Sequence, residues 1–143
     1  MKGYRIAFIR HGMTQANLDG RYIGTTDLPL CREGADQLYE KIEKYDYPSV
    51  QKVYTSPLKR CKQTISILQP NRLVAEMPEL REMDFGKFEN KTADELMNDP
   101  DYEQFIKGGL DNPPPNGEST REVINRCYEA LNIIISDMMY EGL

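Results

Sequence analysis

The sequence predicts an α/β fold in which helices pack against a largely parallel sheet. Short apolar segments at residues 4–9, 50–55 and 72–76 alternate with helical patterns at residues 32–45 and 56–68, an order typical of parallel sheets. Apolar content is near that of globular proteins, and Gly and Pro are too few for disordered or fibrous classes. The 143 residues suit a single domain, residues 1–143, around one core.

The first predicted element is a buried strand at residues 4–9, followed by a functional loop. The segment YRIAFI is mostly apolar and runs into polar residues and Gly12, a pattern that favours a strand buried on both faces. The loop continues through residues 13–30, where Gly, Asn, Asp and Pro favour turns over regular structure.

Two helices and two strands follow in the first half. Apolar residues at helical spacing, Ala35, Leu38 and Ile42 among them, predict a helix at residues 32–45. Residues 50–55 form the second predicted strand. The next helix is predicted at residues 56–68, with Ser56 as N-cap and Pro57 at the first helical position. Residues 72–76 form the third strand.

The second half is predicted to be helical around a proline-rich loop. TADE at residues 92–95 and STRE at residues 119–122 match the capping box that begins a helix, and the prolines within residues 108–117 predict a loop. The last helix is predicted from about Ser119. Its expected buried face comprises Val123, Ile124, Cys127, Leu131, Ile134, Ile135 and Met138. Gly142 before Leu143 fits a Schellman C-cap, which normally leads into another element, so we expect that the chain ends early.

Composition excludes several classes of protein. The apolar runs are far shorter than the ~20 residues of a membrane span, and no signal peptide is apparent. Three widely spaced cysteines without a C-x-x-C pair favour reduced thiols and a cytoplasmic protein. Residues 1–72 hold 12 Lys/Arg against 7 Asp/Glu, whereas residues 73–143 hold 6 against 16. The basic residues are scattered, so we expect no nucleic-acid partner.

His11 is the only histidine, and it lies between Arg10 and Gly12. A metal site would need further ligands at suitable spacing, and none is convincing. A serine-type triad would need a G-x-S-x-G elbow, which is absent. A histidine nucleophile acting on phosphorus would instead need Arg side chains and backbone N–H groups around the phosphoryl oxygens, although a structural histidine at a strand end is the simpler interpretation of His11 taken alone.

The remaining sequence offers candidates for those additional groups. Arg10 adjoins His11, and Gly12 lets backbone N–H groups approach an anion. Arg60 falls within the first turns of a predicted helix, where anions are favoured. Glu82 is a candidate acid for the leaving oxygen. Arg10, Arg60 and Glu82 could each also be an ordinary solvated charge.

Four segments, taken together, resemble the histidine phosphatase superfamily, also called the phosphoglycerate mutase-like family. They are RHGMTQANLDGRYIGTTDLPL, SPLKRCKQT, LREMDFGKFE and PNGES, in this order and spacing. The resemblance implies a three-layer α/β/α sandwich and a phosphohistidine mechanism without metal or cofactor.

The resemblance also implies a role for each matching residue. His11 would be the nucleophile, and Arg10 and Arg60 would hold the phosphoryl oxygens. Glu82 would be the general acid and then the base, with a pKa raised by partial burial. Asn17 would add a hydrogen bond to the phosphoryl group, or would only stabilise its loop.

The chain departs from the family in two respects. A second histidine and the last strand and helix of the sandwich are expected to follow Leu143, so the fold is predicted to be incomplete. The central strand would then lack a neighbour, and a homodimer could form through the open sheet edge. Ile23 stands where many relatives carry a polar residue near the substrate, which affects specificity.

Spacing within the resemblance favours the phosphatase branch, particularly alpha-ribazole phosphatases. Mutases carry a longer insertion after the acid residue, whereas Glu82 and Gly117 are only 35 positions apart here. We therefore predict a phosphomonoester hydrolase that binds a small phosphate ester, with alpha-ribazole phosphate as one candidate, or inorganic phosphate. Two alternatives stay open: a phosphoglycerate mutase, and a truncated phosphate-binding module with little activity.

Overall fold

The computed structural model describes residues 1–142, in which short strands and helices alternate. The strands are β1 (Val53–Thr55) and β2 (Val74–Glu76), and the α-helices are α1 (Gln15–Leu18), α2 (Arg32–Lys44), α3 (Lys59–Leu68), α4 (Ala93–Leu96), α5 (Pro100–Lys107) and α6 (Thr120–Tyr140). Two 3-10 turns lie at Pro78–Leu80 and Gly86–Phe88. None of the helices within residues 1–142 is long and apolar enough to cross a membrane.

The sheet is parallel, as predicted, and is made by β1 and β2. Val53 pairs with Val74 and Thr55 with Glu76, and α3 provides the crossover that parallel neighbours require. The core lies beside this sheet, where buried α6 residues meet Met77 and the half-buried Tyr54 and Leu80. The α/β class predicted from the sequence is therefore confirmed.

The prediction of a buried strand at residues 4–9 is wrong for the described structure. Residues 1–10 are exposed, Phe8 to 77%, and they make no backbone–backbone hydrogen bond with the rest of the described chain. Residues 3–9 and residues 48–56 line a groove of about 1070 Å³. The apolar pattern signals a tendency to be buried, but a strand also needs a hydrogen-bonding neighbour. The expected dimer through the open edge stays a prediction.

Helix α3 begins later than predicted, because a residue from a distant loop caps it. The helix starts at Lys59, and its N-cap Leu58 offers no side-chain hydrogen bond. Instead, the Asp27 carboxylate accepts a hydrogen bond from the Lys59 backbone N–H at 2.7 Å. The Ser56 N-cap and the Pro57 start are therefore incorrect. The predicted loop at residues 13–30 also contains the single turn α1.

The predicted caps of the second half are confirmed, whereas the buried face of α6 is narrower than expected. Thr92 and Glu95 form the reciprocal capping box, and Ser119 caps α6 by accepting from the Glu122 N–H. The buried residues of α6 are Ala130, Ile134 and Met138; Ile124, Cys127 and Ile135 are exposed. Gly142 has the left-handed φ of 70° expected of a C-cap, and Leu143 lies outside the described residues.

Candidate active site

His11 is half-buried, and one hydrogen bond determines its tautomer. Its Nδ1 lies 2.6 Å from the carbonyl oxygen of Gly12. A carbonyl only accepts, so Nδ1 carries the hydrogen and donates it, which leaves the lone pair on Nε2. Burial lowers the pKa of His11, and the charges of Arg60 and Arg10 lower it further, against the opposing effects of the Gly12 carbonyl and Glu82. The ring is therefore a neutral imidazole with an available nitrogen nucleophile at neutral pH.

Arg60 is a buried cation whose charge no described carboxylate pairs with. Arg60 belongs to α3, and the residue is only 1% exposed. One guanidinium nitrogen donates to the Gly24 carbonyl at 2.6 Å and another to the Thr26 carbonyl at 3.0 Å. Its Nε is buried with no hydrogen-bond partner within residues 1–142. A buried charge without a counter-ion is costly, so the arrangement favours an incoming anion.

Hydrogen bonds tie the His11 loop to the helix that carries Arg60. The backbone N–H of Gly12 donates to Thr64 Oγ1 at 2.9 Å, and that hydroxyl donates to the Arg60 carbonyl at 2.7 Å. Gly12 also packs close to the Leu38 side chain, which explains why a small residue follows the histidine. These contacts fix the backbone at Gly12 relative to the turn of α3 that carries Arg60.

Three of the predicted site residues influence the pKa of the same ring. The charges of Arg60 and Arg10 lower the pKa of His11, and that of Glu82 raises it, but no hydrogen bond within residues 1–142 joins these three side chains to the imidazole. Arg10 is exposed and Arg60 is buried. Glu82 is exposed rather than partially buried as expected, and its Oε1 accepts only the N–H of its neighbour Met83, at 3.0 Å.

Asn17 and Ile23 belong to the surrounding loop rather than to this cluster. Thr14 is the N-cap of α1, and Asn17 completes its capping box, because the Asn17 Oδ1 accepts from the N–H and hydroxyl of Thr14. No hydrogen bond within the described residues joins Asn17 to His11. Ile23 is half-buried beside Gly24, whose carbonyl holds Arg60. Their expected roles in substrate binding stay predictions.

The sequence reasoning missed two half-buried carboxylates that bind backbone groups of the site loops. Glu89 accepts backbone N–H groups from Gly24, Thr25 and Phe85. Glu118 pairs with Arg126 at 2.9 Å. Both lie inside the quoted family segments, LREMDFGKFE and PNGES, but nothing local in those segments distinguishes them from solvated acids.

Arg126 connects helix α6 to the Glu82 loop. Its guanidinium donates to the backbone carbonyls of Glu79 and Arg81, each at 2.9 Å. The described residues contain no group of three or more His, Cys, Asp or Glu side chains able to hold a metal ion.

Comparison with known proteins shows the family to which the chain belongs. The profile of the histidine phosphatase superfamily (branch 1) matches residues 6–140. A probable phosphoglycerate mutase GpmB from Cronobacter sakazakii is 31% identical over 133 residues, which cover 90% of this chain and 61% of that protein. The chain therefore spans about three fifths of the length of such curated relatives.

Solved structures give the same result. A putative alpha-ribazole-5'-P phosphatase from Escherichia coli K-12 superposes with a TM-score of 0.78 at 30% identity, over 92% of this chain and 65% of that one. The alpha-ribazole phosphatase from Shigella flexneri gives 0.78 at 30% identity, over 94% and 66%. Both family membership and the fold predicted from the resemblance are thereby shown. The chain belongs to the histidine phosphatase superfamily, branch 1.

Proposed function

We propose that the chain carries the phosphoryl-transfer site of a phosphomonoester hydrolase that acts through a phosphohistidine on His11. The observation that carries this proposal is a neutral imidazole whose Nε2 lone pair is available and whose pKa is lowered by the charges of two guanidinium groups. One of those groups, Arg60, is buried without a carboxylate partner among residues 1–142. An ester phosphate would supply the missing negative charge.

The proposed reaction has two steps. Nε2 of His11 attacks phosphorus, the bond to the ester oxygen breaks, and the carboxylic acid of Glu82 gives its proton to the leaving oxygen. Glu82, now a carboxylate, then takes a proton from water as the water oxygen attacks phosphorus and the P–N bond breaks. Arg10 and Arg60 hold the phosphoryl oxygens throughout, where preorganised donors stabilise the developing charge.

The test is to trap the covalent intermediate. The protein is mixed with p-nitrophenyl phosphate, quenched in alkaline detergent and analysed by intact mass. We expect the added mass of one phosphoryl group, stable to base and lost in acid. Because His11 is the only histidine, such a product identifies the residue without further mapping. Reversible phosphate binding with no covalent product would favour the phosphate-binding module instead.

A variant of the acid sharpens this test. Glu82→Gln cannot activate water, but p-nitrophenolate leaves without protonation. The variant is therefore expected to form the phosphoenzyme and to hydrolyse it more slowly, so that the intermediate accumulates. His11→Asn is the control and should give no product. If Glu82→Gln hydrolyses the intermediate as fast as the unmodified chain, the acid–base assignment is wrong.

The second candidate is a phosphoglycerate mutase. It is favoured by the curated relatives named probable phosphoglycerate mutase. A mutase would return the phosphoryl group to another hydroxyl of phosphoglycerate and release little inorganic phosphate. Phosphorus NMR of phosphoglycerate incubated with the chain distinguishes the two, and isomerisation without phosphate release would overturn the hydrolase proposal. The proposed substrate class is a small phosphorylated metabolite, with alpha-ribazole phosphate the first to test.

A further inference from the structure

Glu89 lies where the loop that holds Arg60 meets the loop that follows Glu82. Its Oε1 accepts the backbone N–H groups of Gly24 and Thr25 at 3.0 Å each, and also that of Phe85 at 3.1 Å. Its Oε2 accepts the Thr26 hydroxyl at 2.6 Å and shares the Gly24 N–H at 3.1 Å. One carboxylate thus joins two segments that are about sixty residues apart in sequence.

Each of the two joined segments carries part of the proposed site. The carbonyls of Gly24 and Thr26 are the hydrogen-bond acceptors for the Arg60 guanidinium. Phe85 lies three residues after Glu82. Gly24 also packs directly on the backbone of Met83, where an added Cβ would be 1.6 Å from the carbonyl oxygen. The relative placement of the cation and the acid therefore depends on this junction.

The Glu89 carboxylate is ionised in this setting. Burial alone would raise its pKa, but hydrogen bonds from the Thr26 hydroxyl and from three backbone N–H groups outweigh burial and lower it. An ionised carboxylate forms stronger hydrogen bonds than a neutral acid or amide. No Lys or Arg forms an ion pair with Glu89 within the described residues, so its bonds go to the two loops.

We infer that Glu89 is a positioning residue that sets the anion affinity of the site by fixing the carbonyls that hold Arg60 and the loop that bears Glu82. The inference rests on the proposed function for its catalytic consequence, but not for its effect on Arg60. If Glu89 acted through its charge alone, the opposite effect on phosphate binding would be expected. A negative charge near the site repels phosphate, so removing it should strengthen phosphate binding.

Two variants separate position from charge. Glu89→Gln removes the charge and points an amide N–H₂ group at backbone donors. Glu89→Asp keeps the charge, but its shorter side chain cannot reach both loops. We expect each variant to bind inorganic phosphate about tenfold or more weakly, since small displacements of preorganised groups have effects of up to about a hundredfold. Thr26→Val removes only the hydroxyl contact, and a smaller loss in the same direction is expected.

Glu95→Gln is the matched control. Glu95 also accepts a backbone N–H, that of Thr92, and removing it deletes the same charge from the same part of the chain. Its side chain also accepts hydrogen bonds from Arg21, and within residues 1–142 it makes none to residues 24–26 or to Phe85. Its phosphate affinity is expected to stay within twofold of the unmodified chain, and far-UV circular dichroism establishes that each variant is folded.

The readout is a phosphate titration followed by ¹⁵N NMR of the Arg60 Nε–H and of the Gly24 and Thr25 amides. In both Glu89 variants the Arg60 Nε–H is expected to exchange with water at least about tenfold faster, with or without phosphate. If Glu89→Gln binds phosphate as tightly as the unmodified chain or more tightly, and Arg60 exchange is unchanged, the positioning role is refuted. Should the unmodified chain form no phosphohistidine while these signals still respond to Glu89, the proposed function fails and the positioning role stands.

Discussion

Replacing Arg126 with Met is expected to destabilise the chain strongly, although Arg126 lies outside the reacting groups. The Arg126 and Glu118 side chains are only 11% and 14% exposed. The guanidinium makes two charge-assisted hydrogen bonds to Glu118 at 2.9 Å, and two more to the carbonyls of Glu79 and Arg81. Met keeps most of the apolar stem but leaves the carboxylate and both carbonyls without this donor.

The size of the expected destabilisation depends on the hydrogen-bond donors that Glu118 keeps after Arg126 is replaced. Removing one partner of a buried ion pair typically costs about 3–5 kcal/mol, because the other charge stays buried. Here Glu118 still has Arg81 at 3.1 Å and the Asp84 N–H at 2.9 Å, which reduces that cost. We expect the free energy of unfolding to fall by about 2–4 kcal/mol, or a melting temperature lower by about 5–15 °C for a chain of this size.

The assay is urea unfolding at neutral and acidic pH, with Arg121→Met as the control. Arg121 lies on the same helix but pairs with Asp111 on the surface, so its loss should change stability little. Burial would raise the pKa of Glu118, but the bonds from Arg126 and the Asp84 N–H and the charges of Arg126 and Arg81 together lower it below 4.5. The contribution of the Glu118–Arg126 pair to the free energy of unfolding is therefore present above pH 4.5 and is lost as the pH falls below that value. Equal effects of the two substitutions, or a difference that does not shrink in acid, would refute this reasoning.

Three further predictions test the site and its surroundings. Burial and the charges of two guanidinium groups lower the pKa of His11 from 6.5. The rate of phosphoenzyme formation, measured by rapid quench, should therefore be retained as the pH is lowered to 6.5. Loss of this rate above pH 6.5 would contradict the prediction. Gly24→Ala would place a Cβ 1.6 Å from a backbone carbonyl oxygen and should lower stability by at least ~2 kcal/mol in urea unfolding, whereas Gly3→Ala meets open space and should be neutral. Phe88→Ala empties a fully buried site and should lower stability by about 3–5 kcal/mol in the same assay, with exposed Phe8→Ala unchanged.

Local patterns in the sequence predicted the elements whose stability is local. Helix α2 was expected at residues 32–45 and spans Arg32–Lys44, because its apolar spacing reflects one buried face. The capping residues Thr92 and Ser119 were located because a cap acts on the N–H groups two or three residues ahead. The alternation of such elements was enough to predict a parallel pair of strands.

Elements that depend on distant partners could not be predicted in this way. Residues 4–9 have a strand-like composition but no hydrogen-bonding neighbour among the described residues. The start of α3 is set by Asp27 from 32 residues away. Family resemblance identified Arg60 and Glu82 through their motifs, but no sequence pattern indicates that Arg60 is buried against carbonyls or that Glu82 is exposed. The groups that accept from Arg60 are backbone carbonyls. Every residue has a backbone carbonyl, so the identities of the accepting residues do not indicate the contact.

The two missed carboxylates join loops that are distant in sequence. Strands β1 and β2 have three residues each, so regular structure fixes little of the backbone around His11. Glu89 binds the loop that carries the Arg60 acceptors, and Glu118 binds the Asp84 N–H beside Glu82 while it pairs with Arg126. Each is an ionised acid that accepts backbone N–H groups from a segment distant in sequence. The loop that holds the buried Arg60 and the loop that bears the exposed Glu82 are thereby anchored by two carboxylates, Glu89 and Glu118, that lie outside the proposed reacting groups.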